Sequence, residues 1–324
     1  MTLHRAWAYA IFSAGLVACT GTPETTPPVD TPHVAADGTP LVAGFDPPAP
    51  PSDALQLVSP IIPGVKPGTN TEYCYYTKHV LDKEVAIKAG QGFQAAGGHH
   101  VVIYWTAEDE KEQLHECTEA DMVKMHFLSG GGAEAGNGII NDLPAGGAFH
   151  IPAGAQLVMN VHALNATDKA VDTQAVANLF YGDSKLLPLT SFYVTGTSLK
   201  VEPHAKGTYS ASCVAPRDFS AVRLLGHMHE WGSRSLITLD DGTGPKTVYD
   251  KPGSEEFSYN PPYIDYATDK PLVIKKGTTI TTRCDYNNDT ADALLFPTEM
   301  CAAFGYLLGS EAEFGCSDEV WNHP

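Results

Sequence analysis

The stretch LLGHMHEWGS contains two histidines separated by one residue, directly after an apolar run. They are His227 and His229. Because residues i and i+2 of a β-strand point to the same face, both imidazoles can reach one metal ion. Two histidines near a strand end are also common as solvated surface residues, so this short motif alone leaves both interpretations open.

Three further histidines lie within or beside β-like apolar runs in the first half of the chain. His99 and His100 precede the run VVIYW, and the two glycines before them permit a bulge that brings adjacent rings together. In AQLVMNVHALN, strand alternation places Asn160 and His162 on one face. The chain therefore offers three candidate ligands in its first half and a pair in its second.

The segment PTEMCAAFGYLLG supplies a third candidate ligand for the second group. Read as a strand, it places Met300 and Phe304 on one face and Cys301 on the other. Methionine usually fills a core, but two imidazoles and a thioether form a soft ligand set that suits copper cycling between Cu(I) and Cu(II). A zinc hydrolase that uses Glu230 as its base is another interpretation, although its only evident third ligand is a thioether.

Short β-like runs must position these residues. HHVVIYW, AQLVMNVHAL, AVRLLGHMH and GTTITTRCDY are examples, and turn signals such as PAGG and DDGTG separate such runs. Helical periodicity is scarce, with EDEKEQLHECTEADMVKM as the best candidate for one short helix. The pattern predicts an all-β protein, most simply two consecutive sandwich-like domains.

The N-terminal sequence predicts export. The apolar stretch from Ala6 to Ala18 is too short to span a bilayer and is typical of a signal peptide, which we place at residues 1–18. LVAC resembles a bacterial lipobox with Cys19 as the lipidated residue, and an ordinary secretory signal is the alternative. Residues 19–52, rich in Pro and Thr, are expected to form a tether. We expect the bacterial cell envelope, with a lipid anchor in the outer membrane, or secretion if Cys19 is not lipidated.

The rest of the chain is long enough for two domains, which we place at 53–190 and 191–324. The formal net charge of −18 argues against a nucleic-acid partner, and a membrane is expected to be contacted only through the N-terminal lipid. Six cysteines remain after Cys19, and an even number in an exported chain favours disulfides, whose pairing composition does not choose. They are Cys74, Cys117, Cys213, Cys284, Cys301 and Cys316.

The order of these motifs resembles that of the copper type II, ascorbate-dependent monooxygenases, the family of dopamine β-monooxygenase and peptidylglycine α-hydroxylating monooxygenase. The similarity runs from about Cys74 to Cys316 and consists of an adjacent His pair, a later VH in a strand, an H-x-H and TEMC. The family fold implies two jelly-roll-like β-sandwiches facing a cleft. The resemblance also implies that 53–190 binds one copper and that 191–324 binds the catalytic copper.

The resemblance implies six copper ligands and three disulfides. The ligands of the electron-storing copper would be His99, His100 and His162. The ligands of the copper that binds dioxygen, and hence the catalytic residues, would be His227, His229 and Met300. The disulfides would be Cys74–Cys117, Cys213–Cys316 and Cys284–Cys301.

The implied reaction is hydroxylation of a C–H bond of a small organic substrate by dioxygen, with two copper ions and ascorbate or a similar external reductant. Two positions depart from the peptide-amidating members, which have an arginine where this chain has Leu225 and a tyrosine where it has Phe304. We therefore expect a less charged substrate, aromatic or aliphatic. The alternative from another class is a non-catalytic copper-binding surface lipoprotein that buffers or delivers the metal.

Overall fold

In the computed structural model, His33–Pro324 forms one compact unit. The predicted signal peptide and Cys19 lie outside the described residues. The structure describes residues 33–132, 138–254, 257, 260–296, 298–309 and 313–322.

The described residues form 25 β-strands and one α-helix, which confirms the all-β prediction. The strands of the first half are β1 (Ala54–Val58), β2 (Ile62–Val65), β3 (Asn70–Val80), β4 (Val85–Gln94), β5 (Gly98–Thr106), β6 (Gln113–Glu116), β7 (His126–Gly131), β8 (Ile140–Asp142), β9 (Gly147–Ile151), β10 (Gln156–Leu164), β11 (Val171–Thr173) and β12 (Ala175–Tyr181). The strands of the second half are β13 (Leu187–Thr195), β14 (Lys200–Val201), β15 (Lys206–Val214), β16 (Phe219–His227), β17 (Gly232–Asp240), β18 (Lys246–Pro252), β19 (Tyr263–Asp265), β20 (Leu272–Ile274), β21 (Thr279–Asn287), β22 (Leu294–Leu295), β23 (Ala302–Leu308), β24 (Phe314–Ser317) and β25 (Val320–Trp321).

The helix α1 (Glu119–Lys124) is shorter than the segment predicted for it. Thr118 caps it, and Asp121 completes a capping box by accepting the backbone N–H of Thr118. The preceding residues form β6 instead, because they pair with β3 and complete the edge of its sheet. Tertiary pairing therefore overrides the helical pattern at Gln113–Glu116.

Each half is a jelly roll with the same strand order. In the first half, one sheet runs β1-β12-β4-β9 and the other β3-β10-β5-β7. In the second half, the equivalent sheets run β13-β23-β16-β20 and β15-β21-β17-β18. Each half thus has eight strands in these two sheets, which can be numbered one to eight along the chain. In both halves, the first strand lies beside the eighth and the second beside the seventh. This arrangement confirms the prediction of two consecutive jelly-roll-like sandwiches.

Side-chain alternation builds a core inside each sandwich. In β21, Ile280, Thr282, Cys284 and Tyr286 are buried while the residues between them are not, as expected for a strand with one face on a core. The first core includes Leu57, Ile151, Leu157, Met159 and Leu179. The second core includes Phe192, Leu224, Ile237, Tyr249, Phe257 and Phe314.

The two sandwiches are joined side by side through β13. Its first residues pair in parallel with β9 of the first sandwich, so one sheet continues across both halves. The predicted boundary after residue 190 falls inside this strand. The buried Arg223 guanidinium reinforces the junction, since it bonds both carboxylate oxygens of Asp265 and donates to the carbonyl of Asp142 on β8.

Residues 33–52 belong to the folded unit, which corrects the expectation that all of 19–52 is a tether. Phe45 is buried against Phe93 and Val176 of the first sandwich. The side chain of Gln174 fixes the same segment, because it accepts one backbone N–H of that segment and donates to one of the segment's backbone carbonyls. The apolar side chains within this Pro-rich sequence therefore find a core, and the folded chain begins earlier than the composition suggested.

The structure contains all three disulfides with the pairing that the resemblance implies. They are Cys74–Cys117, Cys213–Cys316 and Cys284–Cys301. Three bridges of this kind indicate an oxidising compartment, extracellular or periplasmic. Over the described part of the chain, no helix has the length and apolar character needed to cross a membrane.

Candidate metal centres

His99, His100 and His162 form one cluster where β5 and β10 lie side by side. His162 pairs with His100 in the ladder, and the register then shifts so that Ala163 pairs with Gly98. His99 is thus the extra residue of a bulge beside the glycines, which brings two consecutive rings to one place. The three ring centroids are 4.6 to 4.9 Å apart, and one nitrogen from each ring lies within 4.8 Å of the other two.

Two Nδ1 atoms of this cluster lie against each other, and the third is left without a partner. Nδ1 of His99 lies 2.8 Å from Nδ1 of His100. Nε2 of His162 lies 2.5 Å from the side-chain oxygen of Asn70, so it donates there and leaves Nδ1 with a free lone pair. That Nδ1 is buried and has no hydrogen-bond partner. Because an unpaired buried nitrogen is costly, the geometry fits a metal ion bound through three Nδ1 atoms.

The three imidazoles are held neutral. Burial first, and then the charges of His162 and His229, lower the pKa of His99 from 6.5 to about 4. Burial and the neighbouring histidines lower the pKa of His100 well below its usual range. Burial also lowers the pKa of His162, with Glu72 opposing. Neutral imidazole is the form that binds a metal.

Gln94 supports this cluster, although the sequence analysis did not single it out. Its side-chain nitrogen donates to the backbone carbonyls of His100 at 2.9 Å and His162 at 3.2 Å. One buried amide therefore joins the two strands at the positions of two ligands. Only the pairing of β5 with β10 reveals this role.

The second group is built at the end of β16 and the start of β23. His227 pairs with Ala302. One carboxylate oxygen of Glu299 accepts the backbone N–H groups of both His229 and Met300, so these two residues lie close together. The ring centroids of His227 and His229 are 5.0 Å apart. Met300 itself precedes β23 and is not inside a strand, which differs from the prediction.

Two features leave ligand atoms free in the second group. Nδ1 of His229 lies 2.8 Å from the carbonyl oxygen of Thr298, so it donates there and Nε2 is left to bind. Burial first, and then the charge of His229, lower the pKa of His227 to about 3. The group therefore offers imidazole nitrogens close to the segment that carries Met300.

Glu299 is a second residue that the sequence analysis did not assign a role. It is fully buried (0% exposed), and its carboxylate accepts the backbone N–H groups of His229 at 2.6 Å and Met300 at 2.8 Å. These bonds explain why Met300 lies outside the strand, since its N–H points to a side chain instead of the ladder. The sequence signal for a role of Glu299 was its position within the TEMC motif.

The two groups lie within electrostatic range of each other. The charge of His229 contributes to lowering the pKa of His99, His100 and His162 in the first sandwich. The histidine groups therefore belong to one region of the molecule. Glu230, the base in the zinc-hydrolase interpretation, is exposed in the turn that follows His229.

The two predicted pocket residues lie beside the second group. Leu225 pairs with Phe304 in the β16–β23 ladder, on the same face as His227. The ring of Phe304 lies 5.6 Å from that of His227 and 6.2 Å from that of Tyr193, between centroids. This surface is apolar and aromatic.

No protein-family model and no curated protein matches the chain. Two solved structures of N-glycanase F (PNGase F) are similar to it. One is 10% identical with a TM-score of 0.35, covering 83% of this chain and 99% of that chain. The other, described as a glycosylasparaginase from Flavobacterium meningosepticum, is 9% identical with a TM-score of 0.36, covering 84% and 100%. Similarity at this level carries no argument about function, and these neighbours offer no support for copper chemistry.

Proposed function

We propose that the protein is a copper-dependent monooxygenase that hydroxylates a C–H bond of a small organic substrate, using dioxygen and an external reductant such as ascorbate. One observation carries the proposal. Two groups of candidate ligands, three imidazoles in one sandwich and two imidazoles close to the Met300 backbone in the other, lie within electrostatic range. A two-electron oxidation in which each of two metal ions stores one electron needs two metal sites, and these two groups would provide them.

The donor sets support copper over zinc or magnesium. Imidazole suits copper in both oxidation states, and a thioether favours Cu(I). Copper, when bound, supplies the one-electron redox chemistry and the activation of dioxygen. The chain would hold it through His99, His100 and His162 in one site and through the second group in the other.

The residues around the ligands orient them. Asn70 fixes the ring of His162 by accepting from Nε2, and the carbonyl of Thr298 does the same for His229 through Nδ1. Such partners set the tautomer and the ring direction of a metal-binding histidine. Phe304 and Leu225 would place an aromatic or aliphatic C–H bond near the second group and exclude water from it.

We also propose that the protein acts outside the cytoplasm, anchored through a lipid on Cys19. The oxidising compartment that the three disulfides indicate supports export. A surface location would give the site access to small substrates and dioxygen. The lipid itself rests on the sequence LVAC.

Turnover tests the proposal. The copper-loaded protein is supplied with ascorbate, dioxygen and a library of small aromatic and aliphatic compounds, and hydroxylated product is measured by mass spectrometry. We expect product from the wild type and from the control His150→Ala, whose ring bonds Glu84 and the Leu186 carbonyl outside both groups. Tight copper binding without product from any compound would favour the non-catalytic lipoprotein.

A further inference from the structure

We infer that Glu299 is a positioning residue that holds the Met300 thioether opposite the two histidines of HMH and so gives the second site its preference for Cu(I). The inference rests on the proposed function, because it requires copper at that site. It assigns a role to a side chain that is not itself a ligand.

The hydrogen bonds of the Glu299 carboxylate go to the segments that carry the candidate ligands. Oε1 accepts the N–H of His229 and the N–H of Met300, so a single oxygen ties two ligand residues from different segments. Oε2 accepts the N–H of Trp231 at 3.3 Å, which fixes the turn after His229. The carboxylate thus sets the spacing between the HMH turn and the methionine.

A buried carboxylate is a costly way to build a turn. Removing an ionised group from water costs several kcal/mol unless hydrogen bonds replace the lost hydration. A neutral side chain could cap one loop without this penalty. Glu299 instead spans two segments with charge-assisted bonds, which are shorter and stronger than neutral ones.

The segment after Met300 is anchored independently of Glu299. The hydroxyl of Tyr286 donates to the carbonyl of Met300 at 2.7 Å. The next residue, Cys301, is bridged to Cys284, and its carbonyl accepts from the Thr195 hydroxyl. Loss of Glu299 therefore leaves the methionine anchored beside β23 but releases it from the histidine turn.

The histidines are also held without Glu299. His227 is paired in the β16–β23 ladder, and the ring of His229 is fixed by the Thr298 carbonyl. Removing the carboxylate should therefore misplace the thioether more than the imidazoles. Because only Cu(I) depends strongly on the thioether, the two oxidation states should respond differently.

The test compares Cu(I) and Cu(II) affinities at this site in a His162→Ala background, which disables the first site. Cu(I) is titrated against bicinchoninate and Cu(II) against nitrilotriacetate. We expect Glu299→Ala to weaken Cu(I) binding about 10–100-fold, the range for residues that orient ligands, while Cu(II) binding changes by less than about threefold. X-ray absorption should show the copper–sulfur contact of the parent lost.

Two variants serve as matched controls. Glu299→Gln keeps an oxygen that can accept both N–H groups, so it should retain the copper–sulfur contact and most of the Cu(I) affinity. Glu230→Ala removes an exposed carboxylate from the same turn and should change neither affinity. Should Glu299→Ala not fold, Glu299→Asp gives the same comparison, because its carboxylate is one methylene shorter.

An unchanged ratio of Cu(I) to Cu(II) affinity in Glu299→Ala would overturn the inference. So would an equal loss of both affinities together with a lower melting temperature, since that result describes a purely structural residue. If the parent with an intact Met300 binds no copper here, the proposed function fails and this inference falls with it. If the parent binds and Glu299→Ala matches it, only the role of Glu299 is wrong.

Discussion

His162 shows how one side chain is prepared for its role by its neighbours. Its Nε2 donates to Asn70, and its Nδ1 is left buried without a partner. Of the two tautomers of a neutral imidazole, the bond to Asn70 selects the one that carries its proton on Nε2 and leaves Nδ1 with a lone pair. A single exposed amide thus decides which nitrogen is available.

Replacing this amide should weaken the first site without changing the fold. We expect Asn70→Ala to reduce copper affinity there by about tenfold, because the ring of His162 loses the bond that fixes its tautomer. Asn70→Asp keeps an acceptor and should retain the affinity. Competition titrations with a copper chelator measure both, and equal affinities for Asn70→Ala and the wild type would remove this role.

Met300 gives the sharpest prediction at this scale. Met300→Ile keeps volume and apolar character, so its cost in unfolding free energy should be about 1.5 kcal/mol or less. Cu(I) binding at the second site and turnover should nevertheless be lost, since isoleucine has no lone pair to offer. His162→Ala should spare that site and interrupt only the supply of the second electron. Full activity and metal content in Met300→Ile would identify the residue as core filler.

At the scale of elements, the shared strand order relates the second site to a position in the first sandwich. Gln94 ends β4 and pairs with Ala175, the first residue of β12. His227 ends β16 and pairs with Ala302, the first residue of β23. Gln94 therefore occupies the position of His227 in the first jelly roll.

The rest of that comparison follows from the same registers. Two residues further along, Ala96 takes the place of His229, and Thr173 takes the place of Met300. The first sandwich thus lacks the thioether site at this corner and uses Gln94 there to support its own three histidines. The two halves share one fold but carry their candidate metal ligands at different positions in it.

The sequence predicted the strands better than the side-chain hydrogen bonds that join them. Alternation and turn residues led to the all-β fold, and the glycines before His99 led to the bulge. The roles of Gln94 and Glu299 depend on which strands pair, so no local pattern revealed them. N-x-T turns close the equivalent strands β10 and β21, and Asn165 and Asn288 each bond their own turn. These turns are a signal of the repeat that is visible in the sequence.

The disulfide next to Met300 can be tested against the disulfide of the first sandwich, which serves as a matched control. Replacing Cys284 and Cys301 by alanine should cost about 2–4 kcal/mol of stability and should weaken Cu(I) binding at the second site, because the strand after Met300 loses its anchor. Replacing Cys74 and Cys117 should cost stability without changing that affinity. Chemical denaturation and Cu(I) competition check both, and equal Cu(I) affinities in the two double variants would contradict the coupling.

At the scale of the whole molecule, the buried histidines predict a stability that depends on pH. In the unfolded chain each histidine titrates near 6.5, whereas the folded pKa is about 4 for His99 and about 3 for His227. Between these values the unfolded state binds more protons, so the unfolding free energy falls as the pH falls below about 6.5. Above that pH the penalty is absent.

Urea unfolding of the metal-free protein at pH 7.5, 5.5 and 4.5 measures this dependence. His227→Phe should show a shallower loss, since one buried imidazole no longer has to stay neutral. A variant slope equal to that of the wild type would show that His227 is not held neutral by the fold.

The proposed function requires that this chain holds two copper ions in two different ligand groups. The most direct measurement is the copper content of the purified protein after loading and exhaustive dialysis, compared with His99→Ala/His162→Ala and with His227→Ala/Met300→Ile. We expect two coppers per chain in the wild type and one in each double variant, with the remaining copper in the untouched group. A wild type that retains no copper, or double variants that retain as much as the wild type, would contradict it.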